Sequence, residues 1–507
     1  MLSDAALYGW LALPVIIAWF AANTYYGYRR LKHIPGPPGA GLSIWWLLRS
    51  TLGGRTHLDL YEVCRKYGPI ARVGPNDVVT SDAKLAMHIL GARSQYTRSS
   101  WYNGLRFEPG KNNIISMRDD ALHAVMRSKM AGGYSGKEVE YLEFKIDKSV
   151  TNLVNLLDSY VRDGRPFDFA RKIHFFALDV ISELAFGEPF GDLTTDSDVH
   201  NLVTDIETYL PYLIVSTVMS WMIPGSRAAH FQAPHAFGVR RAWHRPPGRR
   251  VAAERYGPSR KIQRDMVGSF VARGLTQEQT ESEIAAQING SIAGSDTTAT
   301  GIRATFLHAI TNPRVLARLQ AEIQESELSW PVAADAEIRK MPFVQATIKE
   351  GLRMLPPVAG FMSKEVPADG DCWNGLSFPP GTRIGLCMMG IMRQRDVFGA
   401  DADEFRPERW LGATPDMEAT WGLVFGSGKW ACLGKNIARM EMNKVLVEVL
   451  RRFDLTLVDP MNPWKSVNYG VFLQSEFWVR GHTRHDLRPG CVDGQNPGGV
   501  LDVKFAT

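Results

Sequence analysis

The chain has 507 residues, of which 45% are hydrophobic and 22% charged, with a formal net charge of +5. That balance is ordinary for a globular protein, and so small a positive excess, with no nucleic-acid motif beside it, argues against nucleic acid as a partner. Five cysteines (Cys64, Cys372, Cys387, Cys432, Cys491) are scattered, odd in number and never in Cys-x-x-Cys. This argues against a disulfide framework or a zinc ribbon and suits a reducing compartment.

Ala5 to Ala22 is an 18-residue run without a charge. As a helix it spans about 27 Å, close to a thin bilayer's hydrocarbon core. Trp10, Trp19, Tyr25 and Tyr26 suit interfacial positions, and Arg29, Arg30 and Lys32 follow the run. The positive-inside rule then puts the large domain in the cytosol. A cleaved signal peptide fits poorly, having neither a basic start nor a small-x-small site. Ile34-Pro35-Gly36-Pro37-Pro38-Gly39 reads as a stiff connector. No later stretch before the C-terminal tail resembles an interdomain linker, so one large domain is expected after the anchor.

Tyr61 to Tyr67 reads as a helix end, and Ile70–Val73 with Asp77–Thr80 as a hairpin around Gly74-Pro75-Asn76. Trp101 to Ile115 reads as a loop by composition. Asp119 to Met130 reads as a helix that puts His123 and Arg127 on one face; spacing alone favours a solvated face. Val139 to Val161 and Ala170 to Ala185 are amphipathic helices. Leu202 to Ile223 is strongly apolar and suits the membrane or a substrate path. In Pro234 to Arg250, Pro246-Pro247-Gly248 is expected to break helix. That basic stretch is either a loop touching anionic headgroups or a misread exon boundary, and the reading taken here is the second.

Thr276 to Gln279 and Thr280 to Glu283 each fit a capping box. A single long helix is expected from there to Ile310. Gly290, Ala293, Gly294, Thr297 and Gly301 give it one face almost without bulk, which implies a flat body against the backbone and room for a small ligand. Pro342 opens another helix, with Glu350 and Arg353 at i, i+3; on a surface such a pair contributes ~0–1 kcal/mol.

Phe425-Gly426-Ser427-Gly428-Lys429-Trp430-Ala431-Cys432-Leu433-Gly434 sets one cysteine among three glycines before an amphipathic helix. A thiolate on such a turn is a soft, strongly donating ligand, and the helix start behind it favours the anion. By itself a lone cysteine is more often a buried structural residue.

The spacing Phe-x-x-Gly-x-x-x-Cys-x-Gly resembles the haem-binding loop of the cytochrome P450 monooxygenases. Three further motifs agree in type and order: Ala293-Gly294-Ser295-Asp296-Thr297-Thr298, the Glu350-x-x-Arg353 pair, and Phe405-Arg406-Pro407-Glu408-Arg409-Trp410. Pro380-Gly381-Thr382-Arg383 points to the fungal pisatin-demethylase-like group. The resemblance spans about Ile34 to Arg480. It implies a mainly α fold with small β-sheets: a transmembrane anchor over 1–33, a haem-thiolate catalytic domain over 34–481 and a loose tail over 482–507.

The resemblance also implies roles. Cys432 would ligate haem b iron, with Phe425 and Gly294 bordering the haem. His123 and Arg127 would hold propionates. Thr297 would stand beside bound oxygen and Asp296 would link it to solvent protons. Glu350, Arg353 and Arg409 would form a buried network behind the cysteine. At Trp430 the family usually carries a basic residue; here the indole N–H remains as a donor and Lys429 is expected to supply the charge. Val358 to Phe361 and Gly470 to Gln474 would border an apolar substrate. Lys429, Lys435, Arg439 and Lys444 would form a basic face for an acidic electron donor.

The implied protein sits in the endoplasmic reticulum membrane. It takes NADPH electrons from NADPH–cytochrome P450 reductase, with cytochrome b5 as a further donor. Its expected reaction is hydroxylation or O-demethylation of an apolar small molecule in fungal secondary metabolism. Desaturation, oxidative coupling or ring closure by the same haem is the alternative outcome, and a non-catalytic haem carrier or sensor is the alternative of another class.

Overall fold

The structure, a computed structural model, describes residues 24–106, 111–220, 246–257, 260–284 and 293–484, with residues 18 and 22. Helices dominate, with four small sheets beside them. Among the described residues no helix is long and apolar enough to cross a membrane. The charge-free run 5–22 lies outside them apart from residues 18 and 22.

The helices that matter here are α1 (Thr56–Tyr67), α2 (Ala83–Leu90), α3 (Asp120–Tyr134), α4 (Leu142–Arg162), α5 (Phe169–Phe186), α6 (Leu202–Val218), α7 (Pro246–Tyr256), α8 (Gln277–Glu283), α9 (Asp296–Ile310), α10 (Pro342–Met354) and α11 (Lys435–Leu450). α9 is the central element. Twelve of its fifteen residues are buried, and it packs on α5, α10 and α11. A helix enclosed on all sides has no room for bulk everywhere. At Gly301 an added Cβ would meet Leu352 Cδ2 at 2.9 Å and Met442 Sδ at 3.0 Å, and at Gly294 it would meet Ile181 Cγ1 at 2.9 Å.

The largest sheet has five strands: β1 (Ile70–Arg72), β2 (Asp77–Thr80), β3 (Thr97–Arg98), β4 (Lys364–Glu365) and β5 (Arg383–Leu386), in the order β1-β2-β5-β4-β3. The expected β1–β2 hairpin forms, with Ala71 opposite Val79. β5 joins β2 in parallel, and the β4–β3 pair sets Lys364 directly opposite Arg98.

Several boundaries differ from those read in the sequence. Ser100–Leu105 is a 3-10 helix rather than loop, because the Ser99 side chain accepts from Trp101 N. α3 is capped by Asp119, which accepts from Ala121 N and Leu122 N, and it runs one turn past Met130. α4 starts at Leu142 because Tyr141 takes a left-handed φ of 54°. Pro246-Pro247-Gly248 does not break a helix: it forms the first turn of α7, where proline's missing N–H needs no partner. Of the stretch 234–250, residues 234–245 lie outside the described residues.

The single helix expected over 276–310 is divided. α8 opens on the Thr276/Gln279 capping box, while Thr280, expected to start a second box, lies inside α8 with its hydroxyl 2.6 Å from Tyr256 Oη. Residues 285–292 are not described, 293–295 form a turn, and α9 begins at Asp296. The cause is local. Gly294 and Ser295 are poor helix formers, and the Thr297 and Thr298 hydroxyls bond back to the Ala293 and Gly294 carbonyls at 2.9 and 3.2 Å, a habit that bends helices. At the other end, the last strand runs to Thr483 and takes up the first two residues of the expected tail. His482 and Thr483 pair with Asp454 and Phe453.

Candidate active site

An interior cavity of about 400 Å³ lies between α9, the segment around Cys432 and the five-stranded sheet, inside the size range of ligand pockets, roughly 300–1,000 Å³. Its walls include Cys432, Phe425, Trp430, His123, Arg127, Gly294 and Thr297. The sequence motifs therefore meet on one surface, and the wall is otherwise mostly apolar. Val358, Gly360, Gly470 and Val471 border it; Phe361 and Phe472 are buried outside it.

Cys432 sits on a turn that needs its glycines. Gly426 and Gly428 have φ of +67° and +56°, and a Cβ on Gly428 would fall 2.6 Å from the Leu90 carbonyl oxygen at the end of α2. The turn closes through Cys432 N donating to Phe425 O at 2.7 Å. Burial pushes the thiol pKa up. Backbone N–H groups of Gly434 and Lys435 and the charges of Arg127 and Lys435 pull it down. The net direction is upward; the two amides at the start of α11 and the nearby charges work against burial, toward the anion.

Across the sheet the cavity carries unusual charge. Lys364 and Arg98 are both buried and oppose each other across β4 and β3. Like charges in that position repel. Lys364 Nζ donates to Tyr102 Oη at 2.7 Å, and Arg98 Nη1 donates to the carbonyls of Ile114 and Met117 at 2.6 and 2.9 Å. Burial holds the Lys364 pKa far below its ordinary value and Arg98 lowers it further, while Asp120 opposes them. His123 is pushed down to about 3 by burial and by Arg98, Arg127, Lys364 and Lys429. Its Nδ1 and Trp430 Nε1 are buried and find no hydrogen-bond partner among the described residues. Buried cations persist only with compensating charge, so this wall is built for an anionic group carrying two or more acceptors. The carboxylates of haem meet that demand, and a cysteine lies on the same cavity, so the residues fit the cofactor.

Trp430 does not take its charge from Lys429 in the expected way. Lys429 Nζ bonds Asp120 Oδ2 at 2.6 Å and Ser94 O at 3.2 Å, and lies 4.5 Å from the indole centroid. Lys364 Nζ lies over the same indole at 4.7 Å. Lys364 and Arg98 were not singled out in the sequence; each is a lone cation in a short strand, and only strand register brings them together. The expected basic face also loses a member. Lys444 is 0% exposed and bonds Glu143 at 2.8 Å and Asp147 at 2.6 Å, because α11 is buried at that turn. Lys435 and Arg439 are half-buried.

Asp296 is 1% exposed and does not line the cavity. It turns toward α5, where His174 Nε2 lies 3.1 Å from its Oδ1. Thr297, its neighbour, is on the cavity wall. Glu350 and Arg353 lie behind the cysteine segment, both 0% exposed, with Arg353 Nε 2.8 Å from Glu350 Oε2 and Arg409 Nε 2.9 Å from Glu350 Oε1.

A cysteine backed by helix amides, a cationic carboxylate cradle and a threonine on one cavity define a haem-thiolate oxygen-activating class of protein. The family model described as Cytochrome P450 matches residues 35–476, and the chain belongs to that family. It is similar to Cytochrome P450 monooxygenase ABA1 of Pyricularia oryzae, 38% identical over 507 residues covering 94% of this chain and 98% of that protein. The monooxygenase aba1 of Botryotinia fuckeliana is 34% identical over 477 residues, 89% of this chain and 91% of that protein. The monooxygenase cicH of Emericella nidulans is 31% identical over 505 residues, 94% and 99%. The protein is a haem-dependent monooxygenase, an oxidoreductase whose haem b iron takes a cysteine thiolate and whose electrons come from a redox partner.

Replacing Lys364 by methionine should separate the cradle's two effects. The apoprotein gains stability, by about 1–2 kcal/mol in urea unfolding, since a buried cation is exchanged for an apolar side chain of similar length. Haem affinity falls about tenfold or more, ~1.4 kcal/mol, read by tryptophan quenching on haem titration. Unchanged haem affinity would show that Lys364 does not face a propionate.

Proposed function

We propose that Cys432 would hold the iron of haem b, and that this protein oxidises an apolar small molecule by hydroxylation or O-demethylation, in fungal secondary metabolism. The observation that carries the reading is that Cys432, backed by the Gly434 and Lys435 amides, and Thr297 border one apolar cavity. Arg98, Lys364, Arg127 and His123 would hold the propionates, with the Trp430 indole N–H as a further donor. When bound, haem supplies the reductive activation of dioxygen, one atom entering the substrate and the other leaving as water.

The protein's own residues orient, exclude water and move protons. Val358, Gly360 and Val471 present an apolar wall that selects apolar substrates and keeps bulk water out. The Thr297 hydroxyl donates to the Ala293 carbonyl and keeps its lone pairs with which to accept from a water at the cavity wall. Asp296, one residue earlier and turned away from the cavity, supplies protons from behind. NADPH–cytochrome P450 reductase and cytochrome b5 are the donors, met by the half-buried Lys435 and Arg439. The charge-free run 5–22 anchors the protein in the endoplasmic reticulum membrane with the catalytic domain in the cytosol.

The carbon-monoxide difference spectrum of the reduced protein tests the ligand: a strongly red-shifted Soret band is expected, and haem without it would overturn the thiolate. Thr297→Ala should keep that band and raise the peroxide released per NADPH severalfold, since the hydroxyl no longer places the proton. Peroxide yield equal to wild type would remove Thr297 from the mechanism.

A further inference from the structure

The face of α9 opposite the cavity carries polar groups with no place in the reading so far. Asp296, Thr300 and Arg303 recur at helical spacing, all buried, and Asp296 and Arg303 reach α5. There Asp296 meets His174, 4% exposed, with Nε2 3.1 Å from Asp296 Oδ1. The contact is within hydrogen-bond distance, yet the ring N–H direction misses the oxygen. Asp296 Oδ1 and Oδ2, His174 Nε2 and Thr300 Oγ1 all remain without a hydrogen-bond partner among the described residues. Four such atoms in one seam are costly. Groups of this kind are normally satisfied by ordered water, each water meeting two to four polar partners.

The charges around the seam are few. Arg303 donates to the Ala170 carbonyl at 3.1 Å from Nε and 2.6 Å from Nη2. Burial lowers its pKa to about 10, while Asp296 and Asp168 pull it up, Arg171 lowers it and Glu207 raises it. Arg171 stands one turn before His174 on α5, and its Nη2 lies 3.5 Å from Glu207 Oε1 on α6. Their side chains are 32% and 37% exposed. The seam thus runs from a wet ion pair at the α5–α6 edge, past His174 and Thr300, to Asp296, whose neighbour Thr297 is on the cavity wall.

We propose that His174 is the positioning residue that holds Asp296 and passes solvent protons to it along the α5–α9 seam. This rests on the assignment of Asp296 and Thr297 to proton supply. The step balances without a further reagent. The imidazolium gives its Nε2–H, through a water in the seam, to Asp296 Oδ1, and the carboxylate becomes a carboxylic acid; the ring, left with Nδ1–H, takes a new proton at Nε2 from a hydronium ion that enters from the Arg171–Glu207 side and leaves as water. Imidazole is suited to this because it exchanges protons near neutral pH, which a glutamine amide does not.

The test uses the full-length holoprotein with reductase and NADPH, with no substrate added, so that oxygen consumption reports proton-dependent turnover. His174→Gln keeps a donor and an acceptor for Asp296 but carries no proton. Its oxygen consumption should fall severalfold and its solvent deuterium isotope effect should rise above wild type. Thr300→Val keeps the shape and removes a buried unpaired hydroxyl, at little cost to folding. It should slow turnover and raise the isotope effect in the same direction, and it keeps the test decisive where His174→Gln fails to fold. Wild-type rate and isotope effect in His174→Gln, or in Thr300→Val where the glutamine variant does not fold, would overturn the proposal. If Thr297→Ala changes peroxide release while these variants change nothing, the seam fails and the cavity assignment stands. If Thr297→Ala is also silent, the underlying assignment fails.

Discussion

Replacing Cys432 by serine should remove the red-shifted carbon-monoxide band and abolish turnover. A serine hydroxyl at that place stays protonated and neutral, so the strong electron donation that favours O–O cleavage is gone. The local structure sharpens the expectation. The Gly434 and Lys435 amides and the Arg127 charge are aimed at the sulfur, and they favour an anion that serine does not provide. Loss of a partner behind a metal ligand typically costs roughly 10–100-fold, and loss of the ligand itself exceeds that. The fold should survive, because Cys432 N still donates to Phe425 O and the turn depends on Gly426 and Gly428 rather than on the sulfur. The measurement is the reduced carbon-monoxide spectrum beside circular dichroism. A serine variant with the wild-type band would mean that another residue binds the iron.

What the sequence revealed follows from how far apart the interacting residues lie. The Cys432 turn, the Thr297 stripe and the Glu350–Arg353 spacing are local patterns fixed by helix and turn geometry, and all were legible. Arg98 opposite Lys364 is a matter of register between two-residue strands far apart in the chain, and no periodicity announces it. His174 lay within a helix read correctly, but its role depends on which face of α9 meets α5. Lys444 misled because amphipathic spacing assumes one wet face, whereas α11 at that turn is enclosed and the lysine is paid for by Glu143 and Asp147. Pro246-Pro247-Gly248 misled because proline's prohibition lapses in a first turn.

Arg353→Ala should leave little folded, haem-retaining protein. Glu350 accepts from Arg353 at Oε2 and Oε1 (2.8 Å each), from Arg409 Nε at 2.9 Å, from Trp410 Nε1 at 2.9 Å and from Arg406 N at 2.8 Å. Arg353 also donates to the carbonyls of Met392, Ala402 and Glu404 at 2.8, 2.6 and 2.9 Å. These bonds tie α10 to the segment that leads through Trp410 and Trp421, ring centroids 6.1 Å apart, to Phe425 at 5.7 Å and so to the cysteine turn. Truncating Arg353 takes two charge-assisted bonds from the buried Glu350 carboxylate and leaves three carbonyls without their donor; breaking a buried network in this way costs about 3–5 kcal/mol, a large part of a typical 5–15 kcal/mol stability. Glu350→Gln is gentler and carries a pH signature. Burial works to raise the Glu350 pKa, but the bonds and charge of Arg353, with Arg409, bring it below its ordinary value. A carboxylate depressed in the folded state stabilises fully above its unfolded pKa, and that contribution is lost as pH falls through the folded value. Urea unfolding of the wild type should therefore weaken on acidification below the usual carboxylate range, and Glu350→Gln should be weaker at neutral pH with a flatter acid limb. Equal acid limbs in the two proteins would mean that Glu350 is not the group whose charge holds the cysteine segment in place.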